Sequence, residues 1–67
     1  MDIDKAASTF VLQGNNLSRM VVAANRNDMF EVTILSNQID ETRRALDRLS
    51  NEVDLKLAQL KQKARQI

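Results

Sequence analysis

The sequence predicts an all-α protein, a helical hairpin that forms a dimeric or higher helical bundle or coiled coil. The 67-residue chain has no proline and one glycine, the two residues that most often interrupt helices. Its apolar residues recur at alternating steps of three and four, which places them on one face of a helix. It has neither cysteine nor histidine. Because disulfides and thiolate or imidazole metal sites are thus excluded, self-association is the expected way to stabilise so small a fold.

The first helix is predicted over residues 4–24. Its apolar stripe consists of Ala7, Phe10, Gly14, Leu17, Val21 and Ala24. Gly14 is followed by Asn15 and Asn16, and all three are poor helix formers. The sequence therefore leaves two interpretations of Gly14 open. It marks either a break in this helix or a place where a partner helix approaches closely.

A turn is predicted near residues 25–28, where the apolar stripe changes phase. Asn25, Asn27 and Asp28 favour turns and caps over helix interiors. Asp28 and Glu31 together resemble a capping box, so a second helix is predicted over residues 28–66. At 1.5 Å per residue this helix is about 58 Å long, roughly twice the length of the first. Residues 1–67 are expected to form a single small helical domain.

Two other folds remain open on the sequence alone. Phe30, Val32 and Ile34 alternate with polar residues, which is typical of a short strand and would fit a ribbon–helix–helix dimer. The other is one continuous helix that pairs with copies of itself. The cap at Asp28 and the lack of turn glycines favour the hairpin over the strand.

The long helix carries an apolar seam that is predicted to contact another helix. With Ile39 at heptad position a, every a position is apolar, whereas the d positions include the polar residues Thr42 and Lys56. The predicted seam consists of Leu35, Ile39, Leu46, Leu49, Val53, Leu57, Leu60 and Ile67. A short first helix covers only part of this seam. The stretch from about residue 49 to 67 is therefore expected to bind a second copy of the chain, a partner protein helix, or both.

The end of the long helix is basic. The candidate basic patch consists of Lys56, Lys61, Lys63 and Arg65, and residues 56–67 contain no acidic residue. Cations at a helix C-terminus interact favourably with the helix dipole. The alternative interpretation is a surface that binds nucleic acid. Its small charge and its lack of aromatic side chains for base stacking argue against this alternative. In the preceding part of the helix, Asp40 and Arg44 are expected to form an ion pair.

The residue types argue against catalysis. Histidine and cysteine, the usual general base and strong nucleophile, are missing, as is a phosphate-binding glycine loop. We therefore expect no enzymatic activity, no cofactor and no metal. One segment, Ser36-Asn37-Gln38-Ile39-Asp40, resembles the Ser-Gln-x-Leu-Asp segment of the small two-helix aspartyl-phosphate phosphatases that regulate sporulation in bacilli. That resemblance implies that Ser36 and Asp40 act on the phospho-aspartate of a response regulator.

The expected function is that of a non-enzymatic protein–protein interaction module that acts through the long helix. A small adaptor, a co-chaperone or an assembly subunit would each fit. The alternatives are a small nucleic-acid-binding regulator and a phosphatase-like regulator of a response regulator. The sequence has neither an apolar run long enough to cross a membrane nor the features of a signal peptide, so we expect a cytoplasmic protein.

Overall fold

The computed structural model describes residues 2–65, which form two helices. α1 spans Ile3–Ala23 and α2 spans Met29–Arg65, and the two pack against each other as a hairpin. The predicted all-α helical hairpin is therefore confirmed. The predicted bounds at 4, 24 and 28 each differ from the observed ones by a single residue, and residue 66 lies outside the described residues. No strand occurs between residues 2 and 65, and the turn at 24–28 replaces the continuous helix.

α1 runs without a break from an aspartate cap. Asp2 Oδ1 accepts a hydrogen bond from the backbone N–H of Lys5 at 2.9 Å, which satisfies one of the free donors of the first turn. The helix continues through Gly14, so the break proposed there is wrong. A Cβ atom placed on Gly14 would meet no atom within 4 Å. Packing inside the hairpin therefore does not require a glycine at this position.

The turn is held by the side chains of Asn25 and Asp28. Asn25 Oδ1 accepts from the N–H of Asn27 at 3.0 Å, which forms an Asx turn. Asp28 Oδ1 accepts from the N–H of Phe30 at 2.9 Å and so caps α2. The N–H of Asp28 donates to the carbonyl of Asn25 at 3.1 Å, the place that Glu31 would take in a capping box. The predicted cap at Asp28 is therefore confirmed. The predicted capping box is wrong, because the N–H of Asp28 donates to Asn25 and not to the side chain of Glu31.

Replacing the cap gives a first expected result. Asp28→Ala is expected to lower the free energy of unfolding by about 1 kcal/mol, because the N–H of Phe30 loses its acceptor. Urea unfolding followed by circular dichroism, at one fixed chain concentration, measures the change. Asp40→Ala, at an exposed position inside α2, is the control and should have little effect. Equal effects of the two substitutions would contradict the role of the cap.

α1 packs on a side of α2 that is rotated away from the most apolar one. The buried and half-buried residues of α2 are Glu31, Leu35, Gln38, Ile39, Thr42, Ala45, Leu49 and Glu52. Gln38, Ala45 and Glu52 repeat every seven residues, so they form one column of this face. They flank the predicted seam, yet they are more buried than its members Leu46 and Val53. α1 thus leaves part of the predicted seam uncovered.

A polar cluster at the middle of the hairpin explains this choice of side. Gln38 Nε2 donates to Oε1 of Gln13 at 2.7 Å and lies 3.2 Å from the carbonyl of the same residue. Thr42 Oγ1 donates to the carbonyl of Gln38 at 2.9 Å and lies 3.4 Å from that of Gln13. The amide of Gln38 finds its two acceptors on Gln13 only when Gln13 lies opposite residues 38–42, whereas Thr42 already has an acceptor within α2. The cluster therefore fixes the alignment of the two helices.

The hairpin has almost no core of its own. Among the described residues only Ala6 and Ala45 are buried, and no large side chain is fully buried. The chain exposes 5438 Å², whereas a folded monomer of its mass exposes about 4,300 Å². The excess of roughly 1,100 Å² is surface that a compact domain of this size would hide.

Candidate interaction surface

α2 extends well beyond α1 at its C-terminal end. The N–H of Asp2, the cap of α1, donates to Oε2 of Glu52 at 3.3 Å, so α1 reaches no further than this point. Residues 53–65 of α2, which we call the overhang, pass the end of α1 by about 20 Å. Val53, Leu57 and Leu60 lie on one face of the overhang, spaced by four and three residues. They are 44%, 48% and 50% exposed.

The paired part of the hairpin has two sides, and a shallow groove identifies one of them. Ala23 of α1 and Ile34 of α2 line this groove together, so they mark one side of the hairpin. Side chains two residues apart on a helix point about 200° away from each other. Val21 and Val32 therefore lie on the opposite side. Steps of seven residues along each helix then assign further residues to each side.

The side that contains Val21 and Val32 is entirely apolar. We call it the apolar side. Its members are Ala7, Gly14 and Val21 on α1 and Val32, Ile39 and Leu46 on α2. The columns on the other side contain Asp2, Thr9, Asn16 and Ala23 on α1 and Ile34, Glu41, Arg48 and Leu55 on α2. Contact with water accounts for the composition of this mixed side, but not for that of the apolar side.

On the apolar side away from the turn, the small residues Ala7 and Gly14 belong to α1 and the large residues Ile39 and Leu46 belong to α2, whereas Val21 and Val32 near the turn are equal in size. Because Gln13 lies opposite residues 38–42 and Asp2 opposite Glu52, the levels of the two helices can be matched. Ala7 lies level with Leu46, and Gly14 with Ile39. The α1 half of the apolar side is therefore a recess, and the α2 half is a ridge.

The structure distributes the predicted seam over three places. Three of its members are half-buried against α1, namely Leu35, Ile39 and Leu49. Exposed are Leu46, Val53, Leu57 and Leu60. Ile67 lies outside the described residues. The free apolar surface of α2 is therefore made of the ridge on the apolar side and the face of the overhang, which adjoin at Val53.

Further apolar side chains are exposed outside the predicted seam. Val22, Met29 and Phe30 lie close to the turn, and Val11 and Leu12 lie on the outer face of α1. None of them belongs to the stripes with steps of three and four. The only signal in the sequence that marks them as surface residues is that they are out of phase with those stripes.

The candidate basic patch lies on the overhang, and all four of its cations are exposed. Lys56 lines a shallow groove together with Asp2, Ile3 and Asp4. Acidic residues of α1 therefore lie beside this lysine. Lys63 and Arg65 belong to the last turn of α2, where cations interact favourably with the helix dipole.

Ser36 and Asp40, which the phosphatase resemblance singles out, are both exposed and lie one turn apart on α2. Arg44 Nη1 pairs with Oε1 of Glu41 at 2.6 Å, so the predicted ion pair between Arg44 and Asp40 is wrong. Within residues 2–65, no group of three acidic side chains lies close enough to hold a metal ion. No helix in this part of the chain is long and apolar enough to cross a membrane.

Comparison with known proteins adds no functional information. No protein-family model matches the sequence, and neither a curated protein nor a solved structure matches it.

Proposed function

We propose that this chain is a non-enzymatic protein–protein interaction module that acts through the long amphipathic helix α2. The roles that fit are those of a small adaptor, a co-chaperone or an assembly subunit. The overhang carries the proposal, because it presents Val53, Leu57 and Leu60 to solvent on one face. Burying a fully exposed side chain of this kind contributes about 1.5–3 kcal/mol. Because about half of each of the three is still exposed, covering all of them contributes on the order of 2–4 kcal/mol.

The shape of the overhang favours a helix as the partner. Up to Glu52, α2 is accompanied by α1, and beyond that residue the described part of the chain provides no second helix. An amphipathic helix with apolar residues at steps of three and four packs against such a face with its axis 8–10 Å away, as neighbouring helices do. The partner then lies on the face of the overhang that continues the column of Ile39 and Leu46, next to the place that α1 would occupy.

Leu57→Asp tests the overhang in the cells that produce the protein. Tagged chains are cross-linked in place, and the proteins that they retain are quantified by mass spectrometry. The aspartate puts an unpaired charge into the contact, so we expect a partner protein to be retained about tenfold less, which corresponds to a loss of 1.4 kcal/mol.

Gln62→Asp is the matched control for this experiment. Gln62 is exposed and lies in the same part of α2, about 180° around the helix from Val53. It should retain the partner as the unchanged chain does. If all three chains retain the same proteins in equal amounts, the overhang is not a binding surface and the proposed function is wrong.

A further inference from the structure

We propose that the apolar side of the hairpin binds a second copy of this chain. In the resulting two-fold dimer, α1 of each copy lies on α2 of the other, and the four helices form an antiparallel bundle. The inference rests on the proposed role as an interaction module, but it concerns a surface other than the face of the overhang. The two proposals can therefore fail separately.

The exposed surface of the chain is large enough for a dimer interface. The whole chain, overhang included, exposes roughly 1,100 Å² more than a compact monomer of its mass, and a stable interface buries about 800 Å² on each partner. Apart from Ala6 and Ala45, the described residues have no buried core. A second copy seated on the apolar side supplies that core from residues that already lie on one surface.

The apolar side is complementary to itself, as a two-fold interface requires. When the axis runs parallel to the helices, the ridge of each copy enters the recess of the other. Leu46 of one copy then meets Ala7 of the second copy, and Ile39 meets Gly14. An axis perpendicular to the helices would place ridge on ridge and recess on recess. Close packing needs large residues opposite small ones, and this selects the parallel axis.

Gly14 is the residue that this dimer explains and the hairpin does not. Glycine weakens a helix interior relative to alanine, and the space beside Gly14 is open within the chain. In the dimer, Ile39 of the second copy fills that space. The glycine then allows the two backbones to approach closely.

The same arrangement places both overhangs at one end of the dimer. α2 of each copy runs in the same direction, and the positions beside the two overhangs that α1 would occupy are vacant. Helices of a partner protein can fill those positions. The dimer thus presents two copies of the proposed partner-binding surface side by side.

A distance between two labels tests this dimer. The chain contains no cysteine, so Asn27→Cys in the exposed turn introduces a single site for a nitroxide label. In the proposed dimer the two turns lie at the same end, on opposite edges of a bundle whose neighbouring helices are 8–10 Å apart, so the label distance is about 20 Å. A second variant, Gln62→Cys, labels the outer faces of the two overhangs and is expected to give a distance of about 30 Å, because the two labels point away from each other.

Each other outcome of the label experiment overturns the dimer. If the turns lie at opposite ends, the Asn27→Cys distance is about 40 Å or more, given the length of α1, and the arrangement is wrong. If the labelled chain sediments as a monomer of 7.6 kDa at millimolar concentration, no dimer forms. Neither result affects the proposed function of the overhang, which Leu57→Asp tests independently.

Discussion

Leu46→Asp is expected to dissociate the dimer at every concentration at which the unchanged chain is dimeric. In the isolated hairpin this side chain is 48% exposed, so an aspartate there disturbs the fold little. In the dimer it lies against Ala7 of the second copy, and symmetry introduces the charge twice. An unpaired buried carboxylate costs about 3 kcal/mol or more. Two of them weaken association by more than about a thousandfold.

Leu12→Asp is the matched control for Leu46→Asp. Leu12 is 57% exposed and lies in the paired part of the hairpin, about 160° around α1 from Gly14. The aspartate therefore faces water in both the monomer and the dimer, and the mass of the particle should not change. If Leu12→Asp dissociates the dimer as well, or if Leu46→Asp leaves it intact, the apolar side is not the interface.

Gly14→Leu is expected to have opposite effects on the hairpin and on the dimer. Within the hairpin the new side chain meets open space, and leucine favours a helix over glycine by about 0.8 kcal/mol. In the dimer the same side chain collides with Ile39 of the second copy. Overpacking of this kind costs about 1–3 kcal/mol at each of the two symmetric positions, which outweighs the gain in the helix.

The measurement compares the chain with Gly14→Ala and Gly14→Leu. Circular dichroism at low concentration reports the helicity of the monomer, which should be higher in both variants. Sedimentation reports the dissociation constant, which should increase from glycine to alanine to leucine and reach about a hundredfold in Gly14→Leu. A dimer that is as tight with leucine as with glycine would mean that no second helix approaches position 14.

The helix bounds could be predicted because they depend on local chemistry. Asp28 can accept hydrogen bonds from the free N–H groups at the start of α2, and the lack of proline lets each helix continue until such a signal occurs. The missing hydrogen bond between Glu31 and the N–H of Asp28 also has a local cause. The carbonyl of Asn25 already accepts from the N–H of Asp28, and this competition is not visible in the spacing of the residues.

The side of α2 that packs against α1 could not be predicted from the sequence. Apolar periodicity identifies the most hydrophobic column of residues on a helix, and it takes no account of polar contacts between the helices. By that rule, Leu46 and Val53 should face α1 ahead of Gln38 and Glu52. The structure reverses this order, because Gln38 finds its hydrogen-bond partner on Gln13 and the small Ala45 lets the helices pack closely. The more apolar column is thereby left for another molecule, and that column forms the ridge of the apolar side.

Gly14 shows the same limit at a single position. Three poor helix formers in succession are compatible with a break or with a close contact, and propensity alone does not decide between them. The helix continues because Phe10 and Leu17, one turn on either side of the glycine, are both half-buried in the hairpin. Tertiary packing thus overrides a local weakness that amounts to about 2 kcal/mol.

The apolar surface that the hairpin exposes is expected to be covered by another protein chain, beginning with a second copy. Sedimentation equilibrium over a concentration series, combined with circular dichroism, tests it most directly. The chain has no tryptophan or tyrosine, so interference optics replace absorbance at 280 nm. We expect the mass to change from 7.6 kDa to twice that value as the concentration increases, with the helical signal growing in parallel, because folding and association are linked. A mass of 7.6 kDa and a full helical signal at every concentration would contradict the account.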